Sequence, residues 1–262
     1  MAHLIITGGS SGIGLEVARI YLAKGYRVSL MARRADILQD AREELLKASH
    51  VTQDAIFLVT VDVCNETEMR AAVKAAEAEH GPCDVLVTSA GRVDPQFFDA
   101  QPSDIFDAQL AVNFFGTVYA VRAVLAGMKQ RRSGRIMLIS SGAALIGIPA
   151  YAAYCASKSA LTGFAEALRL EAQGYGVSVS ICYPPDTLTP QYEREVGLRP
   201  AAAQALMGAV RPWRPDTVAQ LLVNGTERGK RQVHFGLTLK LLSCFSAFIK
   251  PVLFWRLARL TA

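Results

Sequence analysis

Short apolar runs of strand character alternate with longer stretches of helical period along most of the 262 residues, and this alternation limits the possible folds more than any other feature. The runs Leu4–Thr7, Arg27–Ala32, Ile56–Val61, Val85–Val87, Arg135–Ser140 and Val177–Tyr183 are nearly continuous in apolar residues, as in a parallel sheet covered on both faces. Between them Gly14–Lys24, Ala35–Ser49, Glu66–His80, Ala111–Gln130 and Tyr154–Gln173 read as helices, and the polar stretch before Ala111 reads as a loop. The pattern predicts an α/β fold of Rossmann type, a doubly wound parallel sheet in three α/β/α layers. No repeat or linker divides the chain, so residues 1–235 are expected to form a single domain.

From Pro184 onward the texture changes. Pro184, Pro185, Pro190, Pro200, Pro212 and Pro215 interrupt the pattern and predict a substrate loop over 184–212 with a helical piece at Ala201–Ala209. An amphipathic helix is expected over Arg214–Arg228, and residues 236–262 form an apolar tail punctuated by Lys240, Lys250, Arg256 and Arg259.

With 51% hydrophobic residues and a net charge of +5, the chain is too apolar for disorder. Its five cysteines are odd in number and form no Cys-x-x-Cys pair, which points to a reduced, cytoplasmic setting with neither a zinc site nor a disulfide framework. The mildly basic balance suits an anionic ligand such as a nucleotide, or an anionic membrane surface. Basic residues form no stripe interleaved with aromatics, so nucleic acid is not an expected partner. Met1-Ala2-His3 runs straight into a strand, without the features of a signal peptide. Leu241–Ile249 and Pro251–Trp255 each fall short of the ~20 residues of a spanning helix, so no transmembrane helix is expected.

Thr7-Gly8-Gly9-Ser10-Ser11-Gly12-Ile13-Gly14 follows the first strand and opens the first helix. Glycines there let the backbone approach a pyrophosphate, and the helix N-terminus offers free N–H groups with a partial positive charge. Gly8, Ser10, Ser11, Gly12, Ile13 and Gly14 are therefore candidates for binding a dinucleotide; the alternative is a tight strand–helix connection. The second strand ends Met31-Ala32-Arg33-Arg34, with no acidic residue to take a ribose 2′-hydroxyl. Arg33, supported by Arg34 and Ser10, suits a 2′-phosphate and hence NADPH/NADP+, unless the arginines are simply a solvated pair.

Tyr154 and Lys158 stand four residues apart at the start of a predicted helix, on one face, and Ser141 follows a strand end. Carbonyl reduction needs a proton donor beside the hydride acceptor, and a free phenol titrates too high for easy exchange. A lysine one turn away, with an oxidised nicotinamide, would favour the phenolate and lower that value. Ser141 would hydrogen-bond the substrate oxygen, and Asn113 could hold a water of a proton relay. Tyr151, not four residues from Lys158, reads as structural or pocket-lining.

The glycine turn, Asp62-Val63, Ser89-Ala90-Gly91, Asn113, Ser141, Tyr154-Cys155-Ala156-Ser157-Lys158 and Pro184 after the sixth strand together resemble the short-chain dehydrogenase/reductase family over nearly the whole chain. The resemblance implies that Asp62 and Val63 approach an adenine, that Ala90 and Gly91 pack against the cofactor, and that Thr187 and Thr189 lie near the nicotinamide carboxamide beside Pro184. It also implies a homodimer or homotetramer. Thr88-Ser89 in place of the usual Asn-Asn, and Pro185 where most members have Gly, are departures.

Tyr183-Pro184-Pro185-Asp186-Thr187, Gly81-Pro82, Met128-Lys129, Arg131-Arg132, Gly134-Arg135-Ile136 and Ala165–Leu168 resemble the branch of that family that reduces the ketone of 3-ketosphinganine with NADPH. A long-chain substrate implies an apolar entrance, and the basic, Trp-containing tail suits peripheral contact with a membrane. A subunit interface would suit it equally. Asp186 could pair with the substrate ammonium or cap its own loop. The alternatives are reduction of another lipophilic ketone, a ketosteroid or 3-ketoacyl group, and NADPH binding without turnover.

Overall fold

Along the strands, neighbouring side chains enter opposite cores. Leu4 and Ile6 pack on one side of the sheet and Ile5 on the other; Val85 and Val87 oppose Leu86, and Met137 and Ile139 oppose Ile136 and Leu138. This is the period of two expected of strands covered on both faces. The computed structural model describes residues 1–48, 51–207 and 211–261, with side chains up to Trp255. Its strands are β1 (His3–Thr7), β2 (Arg27–Ala32), β3 (Ile56–Thr60), β4 (Val85–Thr88), β5 (Gly134–Ile139), β6 (Val177–Tyr183) and β7 (Gln232–His234). All pair in parallel in the order β3-β2-β1-β4-β5-β6-β7. The chain reverses its direction of winding between β1 and β4, and such a reversal opens a crevice at the carboxyl ends of the strands.

The helices are α1 (Gly12–Ala23), α2 (Ala35–Ala48), α3 (Glu66–His80), α4 (Ser103–Leu110), α5 (Gly116–Arg131), α6 (Ala152–Gln173), α7 (Pro190–Val196), α8 (Ala201–Met207), α9 (Pro215–Glu227) and α10 (Gly236–Thr261). Leu15, Leu22, Leu38, Leu45 and Leu222 of α1, α2 and α9 fill one core, and Met69, Val121, Leu161 and Leu168 of α3, α5 and α6 fill the other. The doubly wound, three-layer architecture is therefore the one expected.

Three local expectations need correction. The segment read as a loop before Ala111 contains α4, which continues through a π turn at Ala111–Phe115 into α5. The proline-rich loop holds two short helices, α7 and α8; the Gly208–Ala209 end of the expected piece, like Ser49 at the end of the second helix, lies outside the described residues. In the tail, the two apolar runs join in one helix that continues through Pro251 and breaks instead at Phe245 (φ −123°, ψ 27°). Its stretch Gly236–Trp255, 20 residues of mean hydropathy 1.6 and 6% buried, is long and apolar enough to cross a membrane by length and composition. The expectation that no such helix exists rests on counting the runs separately.

At the opposite end of the sheet from the crevice, His3 is fully buried. Its Nδ1 lies 2.7 Å from the Gly81 carbonyl and its Nε2 2.8 Å from Ser29 Oγ, with the His80 ring edge-on at 5.4 Å. Burial holds His3 down at about 4. The unfolded chain therefore takes up a proton on His3 between pH 6.5 and 4 that the folded chain refuses. Stability is expected to be full above pH 6.5 and to fall by about 3 kcal/mol as the pH drops through that window. Denaturant midpoints measured at about pH 7.5, 5.5 and 4.5 check this; a flat profile would show that His3 titrates normally.

Candidate active site

β1 ends at Thr7 and the chain turns sharply into α1. Gly8 has φ 69°, in the left-handed region, and its N–H donates to the Met31 carbonyl at 2.8 Å. A Cβ on Gly8 would stand 2.5 Å from Ala90 N, and one on Gly14 2.3 Å from the Gly8 carbonyl oxygen. The turn thus needs glycine to nest against the end of β4. Ser11 precedes α1 without capping it through its side chain, and the first turn of α1 holds no acidic residue. The positive end of the helix is left uncompensated, which suits a phosphate. Arg33 and Arg34 lie exposed just past β2, and Ser10 is partly exposed on the turn. These residues fit a dinucleotide, with Gly8–Gly14 as the cradle and the arginines at the strand end that faces a ribose.

Asp62 and Val63 follow β3, but the Val63 side chain is buried against Gly116 at the start of α5, and Asp62 Oδ1 accepts from the Cys64 N–H at 3.0 Å. The Val63 side chain is thus a core group. Ala90 is packed beneath Gly8, while a Cβ on Gly91 would be 3.5 Å from Asn113 Oδ1, 3.7 Å from Lys158 Nζ and 3.8 Å from Gln191 Oε1. Three polar groups from three elements therefore converge on Gly91. Gln191 carries no signal in the sequence; it comes from α7, inside what reads there as proline-broken loop.

Asn113 is fully buried in the π turn. Its Nδ2 donates to the Arg92 carbonyl and to Ser157 Oγ, both at 2.9 Å, and its Oδ1 accepts from the Arg92 N–H at 2.8 Å. The Asn113 side chain thus fixes the Gly91–Arg92 loop to α6. Ser157 passes the connection on by donating to the Tyr154 carbonyl at 2.8 Å.

Lys158 is buried, with Nζ donating to the Ile139 carbonyl at 3.0 Å and lying 5.8 Å from the centre of the Tyr154 ring. Burial lowers it to about 8. Tyr154 runs the other way: burial of the phenol, then the nearby Glu195 carboxylate, push it well above its ordinary value, against the pull of the hydrogen-bonding Ser141 hydroxyl. Among the protein's own groups, burial is the largest influence on the Tyr154 phenol. Ser141 also accepts from Ala143 N–H at 3.1 Å, and Gly142 N–H donates to the Pro184 carbonyl at 2.9 Å, tying the serine loop to the end of β6.

Thr187 Oγ1 donates to the Pro185 carbonyl at 2.8 Å, and Thr189 Oγ1 accepts from the Tyr192 N–H at 3.2 Å to cap α7. Both hydroxyls thus shape the loop. Thr189 also lies over the glycine turn, since a Cβ on Gly12 would come within 2.8 Å of its Cγ2. Asp186 neither stands free nor caps its loop through its side chain: its Oδ2 accepts from Arg199 Nη1 at 2.8 Å. From the tail, Leu239 reaches the serine loop, with Cδ2 3.1 Å from where a Cβ on Gly142 would stand.

A family model described as short chain dehydrogenase matches residues 2–196. The chain is 35% identical over 252 residues to the 3-ketodihydrosphingosine reductase of Bos taurus, and 36% identical over 252 residues to the 3-dehydrosphinganine reductase of Danio rerio; each match covers 96% of this chain and 76% of the relative. Among solved structures, levodione reductase superposes with a TM-score of 0.80 at 21% identity, over 89% of this chain and 95% of that one, a likeness of fold. With the glycine turn, the buried Lys158 and the Tyr154–Ser141 contact all at the sheet's crevice, these matches agree with the geometry: the chain belongs to the short-chain dehydrogenase family.

Proposed function

We propose that this protein reduces the 3-ketone of 3-ketosphinganine to the alcohol of sphinganine, using NADPH. The observation that carries the chemistry is the Tyr154 phenol one helical turn from the buried Lys158, whose Nζ lies 5.8 Å from the ring centre. The names of the relatives, similar over 96% of the chain, supply the substrate. When bound, the reduced nicotinamide supplies the hydride. Ser141 orients the carbonyl oxygen by hydrogen bonding, and Tyr154 gives its proton to that oxygen as negative charge develops there. Lys158, titrating at about 8, stabilises the resulting phenolate and helps to hold the cofactor ribose. Asn113 acts through Ser157 and the Gly91–Arg92 loop, as a positioning residue. Gly8, Ser10, Ser11, Gly12, Ile13 and Gly14 cradle the pyrophosphate, and Arg33 with Arg34 takes the 2′-phosphate. Asp62 and Val63 border the adenine, while Ala90, Gly91, Pro184, Thr187 and Thr189 wall the nicotinamide end.

A substrate of this kind lives in lipid, and α10 presents apolar side chains to match. Leu237, Leu241, Phe245, Phe248, Val252, Phe254 and Trp255 are exposed, whereas Leu242 is buried in the core beside the partly buried Leu239. The first turns anchor the helix to the fold and leave the rest to lie against an apolar surface, which we take to be the membrane that carries the ketone.

The test is oxidation of NADPH by the purified protein with 3-ketosphinganine in mixed micelles, beside NADH and beside Arg33→Ala. We expect turnover with NADPH at least about tenfold better than with NADH, and a loss of NADPH efficiency of about 10- to 100-fold in Arg33→Ala with NADH unaffected, the size of a charge-assisted hydrogen bond. Binding of NADPH with no turnover of the ketone would refute the substrate assignment. Equal use of the two cofactors would refute the role given to Arg33.

A further inference from the structure

Beyond the proton relay, the described residues hold a second buried polar group at the site. Arg199 leads out of the loop after α7, and its side chain is only 3% exposed. The guanidinium donates to Asp186 Oδ2 at 2.8 Å, to Glu195 Oε1 at 2.7 Å and to the Tyr151 hydroxyl at 3.2 Å, while that hydroxyl donates to Glu195 Oε1 at 2.6 Å. Tyr151 is itself buried, and its ring meets that of Tyr154 edge-on at 6.3 Å between centres. The cluster is thus one aromatic ring away from the proton donor.

Its charges do not balance. Two carboxylates face one guanidinium, and the Tyr151 phenol, raised further by burial and by Glu195, stays neutral. One negative charge is left over beside the site, and both carboxylates are felt at Tyr154. The other ion pair near Asn113, Arg92 with Asp94, is neutral overall. The Asp186 side chain keeps 27% of its surface exposed, so the excess negative charge can be reached by a cationic group. On the activity proposed above, the substrate brings a compensating group: its ammonium sits on the carbon next to the ketone, so the ammonium subsite must adjoin the proton donor.

We infer that Asp186 and Glu195, spread and held by Arg199 and Tyr151, form the subsite for the substrate ammonium. Arg199 fixes the positions of the carboxylates, and the ammonium completes the charge balance when the ketone is seated. This inference rests on the proposed activity and assigns its amine selectivity to named side chains.

The test compares 3-ketosphinganine with a 3-ketone of the same chain length lacking the amino group, both in mixed micelles with NADPH. Glu195→Gln keeps an acceptor for Arg199 and Tyr151 while removing the charge, and Asp186→Asn is a second, independent route should the first fold poorly. In each variant kcat/KM for the amino ketone relative to the amine-free ketone is expected to fall about 10- to 100-fold, the range of a hydrogen bond to a charged group, since any change at Tyr154 itself acts on both ketones alike. A cluster that merely staples the loop would weaken both ketones alike, and that result would overturn the subsite. If the wild-type protein turned over both ketones with equal KM, the subsite would fall while ketone reduction stood. Turnover of neither would remove both.

Discussion

Tyr154→Phe is expected to lower kcat by about 10²- to 10⁴-fold while leaving NADPH affinity unchanged, because the substitution removes the proton-donating hydroxyl and almost no packing volume. No neighbouring group among the described residues is placed to substitute for it. The Tyr151 hydroxyl is engaged in its hydrogen bond to Glu195, and Lys158 Nζ points to the Ile139 carbonyl. Ser141, an aliphatic hydroxyl, is a poor proton donor in its own right. Single-turnover decay of NADPH fluorescence separates chemistry from binding and reads the effect directly. A variant within about tenfold of wild type would show that the proton reaches the carbonyl by another path.

Gly8→Ala is expected to cost roughly 2–5 kcal/mol of folding stability and to abolish measurable NADPH binding. The methyl group would stand 2.5 Å from Ala90 N and 2.7 Å from both Ala90 Cα and Ser89 C, all backbone atoms at the end of β4 that cannot swing aside. The left-handed φ of 69° adds its own strain. Gly25→Ala isolates that second contribution. Gly25 has φ 79° with nothing within 4 Å of its Cβ position, so its replacement should cost about 1–2 kcal/mol and leave NADPH binding intact. Equal losses in the two variants, read by chemical denaturation, would mean that the close approach of the glycine turn to β4 contributes nothing.

Six of the seven strands, the long helices and the glycine turn can be read from the sequence because each depends on neighbours in the chain. β7, at three residues, is too short to carry a period. α4 escapes for a different reason. The π turn at Ala111–Phe115 inserts one residue, so the apolar stripe before it is rotated by about 100° from the stripe after it, and no single helical period spans both. In the tail, Pro251 looks like a stop, yet the helix passes it and breaks at Phe245, where nothing in the local sequence signals a break. The Arg199 cluster is beyond reach for a plainer reason: Tyr151 and Glu195 lie 44 positions apart, and charge pairing over that distance exists only after folding. Asp186 stands out in the sequence, but without its arginine.

One segment joins the two halves of the site. It begins with Thr189 lying over Gly12 of the glycine turn and ends with Arg199 clamped to Asp186, Glu195 and Tyr151. Whatever occupies the glycine turn is therefore roofed by the same ten or so residues that receive the ketone. The two ligand places are therefore not independent: a change of shape in this short stretch made to fit one occupant reshapes the wall offered to the other.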